Sequence, residues 1–170
     1  MNKYIWRVTG PQKMNTGSAA LQLLVMLLAM CFGPAAHASL GGDSASIDAD
    51  RRHMNVKHAA RLAASSTGSY TVNESTLPSG TRVRQYLSSA GAVFAVSWSG
   101  PFMPDLRQLL GQHFDTMVAR QAKQTHAGHR FFILQQPDLV IESGGHPRSF
   151  TGRAYLPGAL PPDINVQDIQ

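Results

Sequence analysis

The sequence predicts an α+β domain: a single antiparallel β-sheet of about five to six strands with two helices, one of them long, amphipathic and packed on the sheet. Three observations carry this expectation. From Tyr70 onward the apolar residues recur with a period of two, the repeat of a strand with one buried face. Between Leu106 and Val118 the positions Leu106, Leu109, Leu110, His113, Phe114, Met117 and Val118 fall three and four apart, forming one stripe on a helix. Clusters such as Leu77-Pro78-Ser79-Gly80, Ser88-Ser89-Ala90-Gly91 and Gly100-Pro101 punctuate these stretches as turns.

Ahead of the domain lie three basic residues (Lys3, Arg7, Lys13), an apolar run from Ala19 to Phe32, then Gly33-Pro34 and Ala36-His37-Ala38. That order reads as a secretory signal peptide over residues 1–38, with Ala36 and Ala38 as the small-residue signal and cleavage before Ser39. A retained anchor fits less well, because about fourteen residues interrupted by Gln22 fall short of the roughly 20 a spanning helix needs. Leu28-Ala29-Met30-Cys31 resembles a lipobox that would lipidate Cys31, although Met30 stands where a small residue is wanted. The expected location is therefore periplasmic or secreted, with only transient membrane contact through the signal.

Export changes the charge argument. Three of the fifteen basic residues precede the expected cut and all ten acidic ones follow it, leaving a net charge of only +2 on the processed chain. Its basic residues are scattered apart from Arg51-Arg52 and Arg82/Arg84, so no dense stripe tracks phosphates and nucleic acid is not an expected partner. Cys31 leaves with the signal, so the remaining 132 residues fold without a disulfide, and packing must supply the stability. They suit one domain over 39–156, followed by a Pro-rich tail over 157–170 beginning at Pro157.

The elements follow in order. Asp43 or Ser44 is placed to cap a helix running to about Ala64, with Asp48 and Asp50 early and Lys57, His58 and Arg61 late, as the helix dipole favours. Its apolar face is thin: Ile47, Met54, Ala60 and Leu62. Tyr70-Val72 and then Val83-Gln85-Leu87 against Arg82-Arg84-Tyr86 form a hairpin around Leu77 to Gly80. Ala92 to Trp98 is almost continuously apolar, the pattern of a central strand covered on both faces. The long helix opens near Pro104 and ends before Gly128. Phe131 to Leu134, Leu139 to Glu142 and Ser149 to Tyr155 are further strands, with Ser143-Gly144-Gly145-His146 as a turn. The predicted order is helix, three strands, helix, three strands.

Several of these stretches also resemble a known family. Leu40-Gly41-Gly42, the Gly91-to-Trp98 strand, Gly100-Pro101 with Met103-Pro104-Asp105-Leu106, Leu109-Leu110-Gly111, Ser143-Gly144-Gly145-His146, Gly152-Arg153-Ala154-Tyr155 and Asp168-Ile169-Gln170 are similar to an uncharacterised secreted family of proteobacteria, the domain of unknown function 2844. The resemblance spans nearly the whole processed chain. It implies a stand-alone exported protein and carries over no functional residue.

Chemistry has therefore to be sought in the residues. His126-x-x-His129 and His146, with Asp138 and Glu142, are the metal-ligand types present, but their spacing specifies no site and no cofactor is expected. Nucleophilic catalysis would need an elbow such as Gly-x-Ser-x-Gly, which is absent. Asp138 and Glu142 form at best a carboxylate pair for a small hydrolase, the alternative reading alongside metal binding. Gly144-Gly145 reads as a hairpin turn in preference to a phosphate cradle, since no helix start follows it. The reading favoured is a non-enzymatic accessory or interaction module of the bacterial envelope. Its binding patch combines Arg82, Arg84 and Tyr86 on one strand with Trp98 on another, and its partner is an envelope or secreted protein or ligand.

Overall fold

Asp43 opens the first helix as expected of an N-cap, its carboxylate accepting from the Ser46 N–H at 3.0 Å. The computed structural model describes residues 40–63, 68–123 and 131–170. Helix α1 (Ser44–His53) is much shorter than the sequence suggested. Asn55 adopts a left-handed φ of 51°, the Val56 N–H reaches back to Arg51 O and the Asn55 N–H to Arg52 O, which closes the helix in a Schellman arrangement. The residues expected to continue it instead form β1 (His58–Ala63).

Strands β2 (Tyr70–Thr76), β3 (Arg82–Ser88) and β4 (Val93–Gly100) follow. The connection to the second half contains α2 (Leu106–Leu110), a 3₁₀ turn (Gly111–His113) and α3 (Phe114–Gln121). Then come β5 (Phe131–Gln135), β6 (Val140–His146) and β7 (Ser149–Tyr155), with 3₁₀ turns at Pro157–Ala159 and Val166–Asp168. The fold is α+β but richer in sheet than expected: one antiparallel sheet of seven strands, not five to six, in the order β1-β2-β3-β4-β7-β6-β5. The additional strand is β1, so four strands precede the helical connection.

The long amphipathic helix is also corrected. Gly111 ends α2 at a φ of 54°, a 3₁₀ turn intervenes, and α3 finishes at Gln121. The break rotates the stripe, so that Leu109, Leu110 and Met117 are buried whereas Val118 is 43% exposed. The expected turn at residues 143–146 is extended strand within β6. The reversal falls three residues on, at Pro147-Arg148 between paired His146 and Ser149, with Arg148 at a φ of 70°. A proline preset at the first loop position moves the turn there.

Both faces of the sheet carry a cover, the second of them over only half its extent. Against one, Ile47, Leu109, Leu110 and Met117 of the helices and Leu40 of the leading strap pack on Val83, Leu87, Val96, Trp98, Ile141 and Phe132. The strap is stitched in through Leu40 N to Leu109 O and Gly41 N to Val93 O. Fully buried Asp50 ties α1 to this face, accepting from Gln85 Nε2 at 2.8 Å and from Gln108 Nε2 at 2.6 Å. A buried carboxylate is tolerable because amide donors replace its lost water.

The other face carries Tyr70, Val72, Tyr86, Phe94 and Ala95, over which residues 157–170 lie. The segment read from sequence as a tail plugs this face with Ile169, which is fully buried, and with Leu160 and Ile164. Ser69 Oγ donates to the Asp163 carboxylate at 2.6 Å, pinning its middle.

His113, in the 3₁₀ turn, is half-buried, and its Nε2 is buried without a partner among the described residues. Burial pushes its pKa down, opposed in part by Asp138. The fold therefore prefers neutral imidazole, and the unfolded chain takes up the proton first. Stability contributed by the neutral ring is full above the unfolded value of about 6.5, falls as pH drops through it, and levels off below the folded value. In thermal melts from pH 8 to pH 5, His113→Met is expected to lose part of the acid-side decline of the parent. An identical decline in both proteins would contradict this origin.

Candidate functional site

The segment 157–170 covers only half of its sheet face, and the uncovered half is where polar side chains converge. Strand register sets them in two rows. One runs Glu74, Arg84, Ser97, Arg153, Glu142, Ile133 across β2, β3, β4, β7, β6 and β5. The next runs Thr76, Arg82, Ser99, Thr151, Gly144, Phe131 across the same strands. Alternation along each strand puts both rows on the same side, because their members are two residues apart.

The first row is charge-paired. Arg84 Nε lies 2.7 Å from Glu74 Oε2, and Arg153 donates to Glu142 Oε2 from Nε at 2.9 Å and from Nη2 at 2.8 Å. Each guanidinium also reaches the covering segment: Arg84 Nη1 donates to Gln170 O, and Arg153 Nη1 donates to Val166 O at 2.8 Å. The Glu74 hydrogen bond raises the pKa of Arg84 above its ordinary value, against the opposing effect of burial, so it stays charged. These two arginines act as clamps, with their charge already answered.

The second row is open. Arg82 is exposed, and its side chain makes no hydrogen bond or ion pair among the described residues. Ser99 and Thr151 turn exposed hydroxyls outward, Gly144 leaves the floor bare, and Phe131 ends the row on edge strand β5 at 69% exposure. Ile133 beside it is 57% exposed.

Two hollows lie along these rows. One of about 230 Å³ is bordered by Arg82, Arg84, Ser99, Thr151 and Gln170, and one of about 300 Å³ by Phe131, Ile133, Gly144, Thr151 and Gln170. Since Thr151 and Gln170 border both, they form one trough, walled on one side by the end of the covering segment. Four interstrand steps of roughly 4.8 Å separate its cationic end from its aromatic end, a span of about 19 Å.

The residues singled out from sequence are redistributed. Arg82 and Arg84 line the trough. Tyr86 is 3% exposed beneath the covering segment, where its Oη accepts from the Gln170 N–H at 3.1 Å. Trp98 also borders the smaller hollow, but its indole is packed in the core of the opposite, helix-covered side at 2% exposure. Glu142 is committed to Arg153, and Asp138 sits exposed in the turn before β6. His146 is exposed at the end of β6, with Nδ1 3.2 Å from Pro147 O. His126, His129, Ala36, Ala38, Ser39 and Cys31 lie outside the described residues. Among the described residues no three His, Cys, Asp or Glu side chains are arranged to hold a metal ion. Phe131, Ile133, Ser99 and Thr151 were not singled out by sequence. The only signal for the first two was their alternation with Phe132 and Leu134, which a fully apolar strand conceals.

The class defined by this geometry is an α+β domain with a half-covered antiparallel sheet and a trough on its open half. A family model described as "Protein of unknown function (DUF2844)" matches residues 36–169, and the chain belongs to that family. No curated protein and no solved structure matches it.

Proposed function

We propose that this chain is an exported, non-enzymatic accessory module of the bacterial cell envelope, and that the trough between Arg82 and Phe131 is its recognition surface. The observation that carries this reading is the contrast between the two rows. The carboxylates of the first row, Glu74 and Glu142, are bound to arginines, while a cation without an ion-pair partner among the described residues and an exposed ring stand at opposite ends of a hydroxyl-lined floor. That is equipment for holding a ligand, because a carboxylate held against a guanidinium is a weaker base than a free one. Export rests on the basic n-region, the Ala19-to-Phe32 run and the Ala36-His37-Ala38 signal.

Two measurements test the reading. Protein recovered from the envelope fraction is expected to have an intact mass beginning at Ser39; a lipid adduct on Cys31 or an unprocessed chain would overturn the address. In co-sedimentation with isolated envelopes, Arg82→Glu combined with Phe131→Ser is expected to weaken retention about tenfold, as loss of binding hot spots does. Equal sedimentation of parent and variant, with unchanged melts, would remove the trough from the function.

A further inference from the structure

Resting on that reading, we infer that the trough takes an acidic oligosaccharide carrying its carboxylate toward one end, with the charged sugar at Arg82 and a neutral ring against Phe131. The trough's floor consists of interior strands whose backbone N–H and C=O groups are spent in the ladders. An extended peptide lying across the strands would find almost no partners for its own amides, and burying them unpaired is costly. Sugar hydroxyls ask for less directional chemistry. They can donate to and accept from the hydroxyls of Ser99 and Thr151, both exposed residues.

Charge narrows the class. Arg82 is the one trough arginine without a carboxylate partner among the described residues, whereas Glu74 and Glu142 accompany Arg84 and Arg153. A polyanion with a charge at every step would meet Glu142, which borders the Phe131 half of the trough, whereas neither Glu74 nor Glu142 borders the Arg82 half. A ligand with a single carboxylate at the Arg82 end would meet none there, and a guanidinium is suited to bidentate binding of that group. At the other end Phe131 presents a flat apolar face on the edge strand, flanked by Ile133. The C–H face of a pyranose matches that surface, while its hydroxyl edge stays in water. The trough's span of about 19 Å accommodates several linked rings between the two anchors.

The test is calorimetric titration of the purified chain with aldotetraouronic acid and with sialyllactose, each against its neutral counterpart, xylotetraose or lactose. The acidic sugars are expected to bind about tenfold tighter than the neutral ones, the difference of one charge-assisted contact. Arg82→Gln should erase that preference by weakening only the acidic sugars. Phe131→Ala should weaken acidic and neutral sugars alike. Both sites are exposed, so thermal melts of the variants should match the parent. Absence of saturable binding by all four sugars, or a preference that survives Arg82→Gln, would overturn the assignment. In either case the envelope co-sedimentation decides separately: retention still lost in the Arg82/Phe131 double variant would keep the trough as a recognition surface for another ligand, and retention unchanged would remove both.

Discussion

Replacing Gly152 with alanine is expected to destabilise the chain by about 3 kcal/mol or more, in the upper range for forced overpacking. Gly152 lies in β7 directly opposite Trp98 of β4, and the indole rests on its bare backbone. A methyl group there would sit 2.3 Å from Trp98 Cζ2, 2.5 Å from Cε2 and 2.7 Å from Glu142 O. The last is a backbone carbonyl in the ladder and cannot retreat alone. The indole cannot swing away either, since it is packed in the core at 2% exposure. Urea unfolding followed by circular dichroism checks the size of the loss. Trp98→Leu on its own should cost stability by leaving a cavity. The Gly152→Ala, Trp98→Leu double variant should nevertheless recover part of the alanine penalty, giving a coupling of the sign expected for residues in contact. Simple additivity of the two losses would show that the indole is not what excludes the methyl group.

Ile169→Ala is expected to lower stability by about 2–5 kcal/mol, the range for removing most of a buried aliphatic side chain. Ile169 is fully buried between the covering segment and Tyr70, Val72, Tyr86, Phe94 and Ala95. Tyr70 and Phe94 stand edge to face at 6.1 Å, so the pocket wall is stiff and closes poorly over a void. The expected signature is more specific than a lower urea midpoint. The covering segment should become cleavable at low protease concentration before the sheet melts, because local opening falls to lower free energy than global unfolding. Wild-type protease resistance together with a wild-type midpoint would show that the segment's polar clamps alone hold it.

Sequence reasoning reached the strands whose residues alternate and missed the places where tertiary pairing overrides local preference. β7 spans the stretch read as a strand from Ser149 to Tyr155. β1 was hidden because Ala59, Ala60, Arg61 and Leu62 are all compatible with a helix; pairing with β2 decides their state. The stop that separates β1 from α1 is a single residue, Asn55, whose side chain favours the left-handed conformation only modestly. The burial of the Trp98 indole on the helix side has a geometric cause. β4 is apolar throughout, and its register with β3 slips where Leu87 pairs with Val93 and Tyr86 with Ala95, leaving Phe94 as a bulge. The bulge reverses the alternation, so Phe94 and Ala95 point to the covered face together and Trp98 turns to the helices. Of the candidate site, Arg82 and Arg84 were legible because charges interrupt β3 at even spacing. Phe131 was not, because it begins an unbroken apolar run. The role of residues 157–170 was concealed by their few apolar side chains; what calls for a cover is the aromatic face beneath them.

The strand order has a consequence for how the chain acquires its structure. β4 and β7 are neighbours at the middle of the sheet, yet a helical connection and two further strands separate them in sequence. The first four strands can assemble from nearest-neighbour hairpins as soon as they emerge from the ribosome or a translocation pore. They then present the open side of β4, a row of unsatisfied N–H and C=O groups, until residues 149–155 arrive. Closing that seam requires a long loop to be ordered before any contact rewards it, so β4–β7 pairing is expected to be slower than the formation of the hairpins. The trough straddles this seam, with Arg82 and Ser99 on one side and Thr151, Gly144 and Phe131 on the other. The proposed recognition surface is thus absent from any partly made chain and comes into being together with the completed sheet.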